Sequence, residues 1–135
     1  MRVRLNGLSL SQNPEDVVRA MKELYDMEAY KSVIEIGITA AKRNVFSPDM
    51  GALYAMAGSK FSGIDVPKQK ELFDFMKKSA EQGSVYGMEG LAEFYEKGYG
   101  LDATDMNNAF YWYKQAAQKG SEKAQNYLRG RNLKW

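Results

Sequence analysis

Phe73-Asp-Phe-Met-Lys-Lys-Ser-Ala-Glu-Gln-Gly-Ser84 returns as Phe110-Tyr-Trp-Tyr-Lys-Gln-Ala-Ala-Gln-Lys-Gly-Ser121, 37 residues further on. Phe73/Phe110, Lys77/Lys114, Ala80/Ala117, Gly83/Gly120 and Ser84/Ser121 are identical, and Phe75/Trp112 and Ser79/Ala116 exchange like for like. A period of this size predicts stacked supersecondary units, each too small to bury its apolar face alone, and such units usually bind rather than catalyse. Both copies close on Gly-Ser. Glycine takes the left-handed conformation that ends a helix, and serine supplies the oxygen that caps the next one.

Working outward, the same punctuation divides the chain into helices. Asn13 caps a first helix, with Pro14 at its first position and Glu15 and Asp16 in the first turn. Val17, Ala20, Met21 and Leu24 give it one apolar stripe. A second helix is predicted from about 29 to 42, with Val33, Ile36, Gly37 and Ala40 on one side. Ser47-Pro48 opens a third, running to about Phe61, and a turn at 63–67 opens a fourth that ends at Gly83. A fifth covers about 85–97, a sixth is capped by Asp102 or Asp105, and a seventh spans 122–129 with Ala124, Tyr127 and Leu128 inward. No strand is predicted beyond a short extended start at residues 1–12.

Composition narrows the chemistry. The 135 residues contain neither cysteine nor histidine, which removes thiol chemistry, the commonest general base and the commonest metal ligand. Zinc and haem sites of the usual kinds are excluded, and no cofactor is expected. Net charge is only +2 but unevenly placed. Residues 85–111 carry five acidic groups against Lys97, whereas residues 112–135 carry six basic groups against Glu122. With no membrane-length apolar run and no signal-peptide pattern, a soluble cytoplasmic protein is expected, though a chain trimmed of an export signal would read the same.

The second unit contains Gly87-x3-Leu91-Ala92-x-Phe94-Tyr95-x2-Gly98-x-Gly100, then Ala109-x2-Trp112-Tyr113-Lys114-x-Ala116-Ala117-x2-Gly120. This resembles the Sel-one-like repeat, a relative of the tetratricopeptide repeat. The preceding unit is similar more loosely, through Ala52, Met56, Ala57, Gly63, Leu72, Phe75, Met76, Ala80 and Gly83. It departs from the pattern at Ser59 and Lys60, and its inner loop reads as two residues shorter. The resemblance implies an all-α, right-handed α-solenoid in one domain over 1–135. It comprises a degenerate helix pair at 14–46, repeats at 48–83 and 85–120, and a capping helix at 121–130. It also implies a non-enzymatic module for protein–protein interaction, whose first helices line a concave face.

On the fifth helix, Met88, Leu91, Ala92 and Tyr95 take the buried stripe, which leaves Tyr86, Glu89, Glu93 and Glu96 on another face. Tyr54 and Phe61 are expected at equivalent places on the third helix, and Val18, Lys22 and Tyr25 on the first. An acidic, phenol-bearing stripe suits a basic peptide or protein surface; the plain alternative is a solvated helix face. The partner reading takes two forms, an adaptor or scaffold, and an inhibitor such as an immunity protein that neutralises a toxin. A third reading has Arg129, Arg131, Lys134 and Trp135 contacting nucleic acid, against a plain solvated tail. Glu89 and Glu93 as a catalytic carboxylate pair is the weakest, since carboxylates four apart on a polar helix are usually surface charge.

Overall fold

The computed structural model describes residues 13–61 and 66–135; the expected extended start at 1–12 and most of the turn at 63–67 lie outside the described residues. Described residues form seven helices and no strand: α1 Pro14–Asp26, α2 Tyr30–Lys42, α3 Pro48–Lys60, α4 Val66–Glu81, α5 Val85–Lys97, α6 Met106–Gln118 and α7 Glu122–Arg129. The caps are those the sequence announces. Asn13, Ser47, Ser84 and Ser121 accept the N–H three residues on, and Asp105, not Asp102, caps α6 through the Asn108 N–H at 3.1 Å.

The Gly-Ser pairs work as expected. Gly83 and Gly120 sit at φ 96° and 97°. The Ser84 N–H donates to the Ser79 carbonyl and the Ser121 N–H to the Ala116 carbonyl, both five residues back. That is the paired closure of a left-handed helix end. α1, α2 and α7 end the same way on non-glycine residues, Glu28, Asn44 and Asn132, at φ 57–62°.

Each helix packs on the next in sequence, α1 packs also on α3, and α3 on α5. The first helices therefore share one side of an all-α solenoid, and the second helices are set apart from one another on the other side. One cluster joins Val17, Met21, Val33, Ile36, Met50 and Leu53 across α1–α3. A second runs from α3 to α7 through Met56, Met76, Leu91, Tyr113 and Leu128. Tyr25 and Tyr86 pack against both, so the core is continuous from layer to layer. Close helix approach rests on small residues: a Cβ on Gly87 would lie 2.7 Å from the Ala80 nitrogen and 2.9 Å from the Ser79 carbonyl carbon.

The inner loop of the first repeat is shorter, by three residues where the sequence predicts two: five residues separate α3 from α4 and eight separate α5 from α6. The serine caps of α3 and α5 stand 37 residues apart, the same offset as the duplicated segment. The difference between units lies after α3 and α5, where α4 begins earlier than α6. A two-residue shift turns a helix position by about 200°. Tyr54 and Phe61, expected to match Glu89 and Glu96 at an offset two residues short of 37, therefore fall on the far side of α3.

Candidate partner-binding face

Four carboxylates and phenols of the predicted set sit on α5, but they do different things. Glu93 is three-quarters or more buried and stands where three helices converge. Its carboxylate meets Lys97 one turn on at 3.0 Å, Lys60 of α3 at 3.5 Å and Lys123 of α7 at 3.6 Å. Burial alone would raise its pKa; Lys97, Lys123 and Lys60 together outweigh that and hold it below the ordinary glutamate value.

Glu89 and Glu96 serve the fold. The Ser121 hydroxyl donates to Glu89 while accepting the Ala124 N–H at 3.0 Å, so one serine both caps α7 and ties it to α5. Ser84 repeats the device one unit earlier, donating to Asp49 of α3 while accepting the Gly87 N–H at 3.0 Å. Glu96 accepts the hydroxyls of Tyr113 at 2.9 Å and Tyr127 at 2.8 Å. Those two rings stack 3.7 Å apart, and the Arg131 guanidinium lies 3.8 Å over Tyr127 and 3.8 Å from Glu96. Burial, then the Glu96 carboxylate, raises both phenols, Tyr127 to about 12.

Tyr86 and Tyr25 complete the side on which Glu93 lies. The Lys22 ammonium is 5.9 Å from the centre of the Tyr86 ring and also pairs with Asp26 at 2.8 Å. Tyr25 packs tilted on Tyr30 at 5.3 Å, and its hydroxyl is pushed up to about 12, first by burial and next by the field of Glu93. Tyr25, Tyr86, Glu89 and Glu93 are thus brought together. Tyr54 and Phe61 are not. Tyr54 packs edge-on to Phe75 of α4 at 5.4 Å and against Gly37 of α2, and Phe61 ends α3 beside Tyr54 on that same far side. The cause is the register difference described above.

Sequence reasoning missed Lys60, Lys97 and Lys123 as members of this face. Lys97 was within reach, being one helical turn from Glu93. The other two come from helices about thirty residues away in either direction and carry no local signal. The basic tail is likewise engaged, with Arg129 5.3 Å over Trp135 and Arg131 on Tyr127. Among the described residues no Asp/Glu cluster is arranged to hold a metal ion, and no helix is long and apolar enough to cross a membrane.

The arrangement offers shape and charge. Comparison with curated proteins returns no match. Comparison with family models matches the Sel1 repeat at residues 51–84 and again at 85–121, more than half of the chain. Such repeats are helical hairpins that serve in general as protein–protein interaction modules and are typically non-enzymatic. With its helix pairs, its glycine-serine joints and both matched segments, the chain belongs to the Sel1 repeat family.

Proposed function

We propose that this protein is a non-enzymatic interaction module that holds one protein or peptide partner on its first-helix face, as an adaptor or as an inhibitor of the immunity-protein type. The observation that carries the reading is the convergence on Glu93. Four first helices (α1, α3, α5 and α7) contribute Tyr25, Lys60, Tyr86, Lys97 and Lys123 to one side of the solenoid. Aromatic rings beside exchangeable ion pairs suit a protein surface, because a partner can replace one charge contact with another at little cost in desolvation.

The charge of the partner follows from the pairing. Glu89 and Glu96 are occupied by serine and tyrosine hydroxyls, and Glu93 is shared by three cations. Lys97 and Lys123 stay accessible on this face, with side chains 61% and 55% exposed, while Asp26, 59% exposed, is held by Lys22. The complementary surface brings carboxylates to these lysines, where the sequence pattern alone suggested a basic partner.

Hydrogen exchange on a captured complex tests the placement. Slowed exchange is expected in α5 and in the first turn of α7, with α2 and α6 unchanged. Protection confined to α2, α4 or α6 counts against this face.

A further inference from the structure

The far side of the solenoid carries a second feature that the first-helix face does not use. α2 and α4 flank α3 there, and three adjoining hollows of about 240, 200 and 200 Å³ run between them. Phe46 and Phe75, 6.1 Å apart and edge-on, separate the first hollow from the second. Ile38 and Tyr54 separate the second from the third. Ile38 and Phe61 are 43% and 41% exposed, unusual for large apolar side chains grouped together.

The trough has a structural cause. In the following unit the position of Gly58 is taken by Tyr95, which packs edge-on to Phe73 at 5.3 Å and fills the corresponding space. Gly58 has no side chain to do so, and Leu72 moves in against it, lying 2.9 Å from where a Cβ would stand. At Gly37 the Tyr54 ring takes the place of a side chain, 2.9 Å from where a Cβ would stand, and borders the middle hollow.

The lining is also one-signed. Lys42, Lys68 and Lys78 each border one hollow, and among the described residues no carboxylate borders any of the three. Lys68 pairs with Glu71 at 3.2 Å. Lys68 and Lys78 stand ten residues apart on α4, about 15 Å along the helix.

We propose that this trough is a second docking surface, and that its occupant is a short acidic segment of a partner protein. Two or three large apolar side chains of the segment enter the hollows and its carboxylates meet Lys42 and Lys78. About five extended residues span the ~15 Å between the Lys68 and Lys78 ends of the trough. The proposal goes beyond the first-helix reading and does not depend on it.

The test is panning of a library of short random peptides against the folded protein, followed by fluorescence-anisotropy titration of the enriched peptides. Peptides combining large apolar residues with Asp or Glu are expected. Their affinity should fall at least about tenfold in Ile38→Glu and in the double variant Lys42→Glu/Lys78→Glu, and stay within about twofold in Tyr86→Ala/Lys123→Glu. Circular dichroism and thermal melts confirm that each variant is folded. Peptides that bind but respond only to the Tyr86/Lys123 variant overturn the trough and favour the first-helix face. Enriched basic peptides, or no enrichment, overturn the trough and leave the first-helix proposal standing on its own exchange test.

Discussion

Glu96→Ala separates scaffold from surface on the one helix where both meet. Glu96 accepts two tyrosine hydroxyls and neighbours one guanidinium, and Tyr113 is only 3% exposed. A hydrogen bond to a charged group contributes about 1.5–3 kcal/mol net, and an abandoned buried donor costs about 1–3 kcal/mol. Tyr127 is nearer the surface and recovers part of its loss from water. The expected destabilisation is therefore about 2–4 kcal/mol, or roughly 10 °C in melting temperature for a chain of this size. Glu93→Ala makes the contrast. It removes three contacts, yet to lysines that are between a third and two-thirds exposed, and such pairs are worth at most about 1 kcal/mol. Both variants are to be compared by urea denaturation followed by far-UV circular dichroism, with the near-UV tyrosine signal as a local probe. The reasoning fails if Glu96→Ala stays within about 0.5 kcal/mol of the parent, or if the two variants lose stability equally.

Three further outcomes are expected. Gly87→Ala should cost about 2–3 kcal/mol in denaturant titration, because its Cβ meets backbone of α4 and not a side chain that could swing away; a loss below 0.5 kcal/mol, to order of magnitude, sinks that account. Glu28→Gly should raise the melting temperature by a few degrees. The residue lies at φ 62°, where a side chain costs about 1–2 kcal/mol, only partly offset by the greater freedom of glycine in the unfolded chain. Alkaline stability should follow the phenols. Tyr25 and Tyr127 are raised from about 10 to about 12, so the stability they contribute is complete below pH ~10 and disappears as pH climbs through 12. Tyr25→Phe with Tyr127→Phe should flatten the fall in melting temperature between pH 10 and 12, and an unchanged slope would contradict the assignment.

The fold was legible because its signals are local. Asn13-Pro14, Ser47-Pro48 and the two Gly-Ser joints each state a helix boundary within three residues, and all four are used as written. The places of Tyr54 and Phe61 were less legible, because α3 is rich in small residues. Gly51, Ala52, Ala55, Ala57 and Gly58 leave its buried face without a clear stripe, so apolar matching finds more than one alignment. The α5 stripe was read correctly as a stripe, but the partners of its carboxylates were not legible. Ser121, Tyr113 and Tyr127 come from α6, α7 and the joint between them, 17 to 32 residues away. Burial cannot be seen from the charge pattern that suggested a free acidic surface. The trough was invisible for a related reason, since only the stacked helices show that Ile38 and Phe61 stay uncovered beside Tyr54.

The central claim is that the first-helix face, not the acidic stripe as such, holds the partner. Its most direct test is quantitative capture from native extract, comparing the parent protein with the variant Tyr86→Ala/Lys97→Glu/Lys123→Glu at matched concentration and matched melting temperature. A partner retained by the parent and reduced at least about tenfold with the variant is the predicted result. Equal capture of the same partner by both proteins would contradict it.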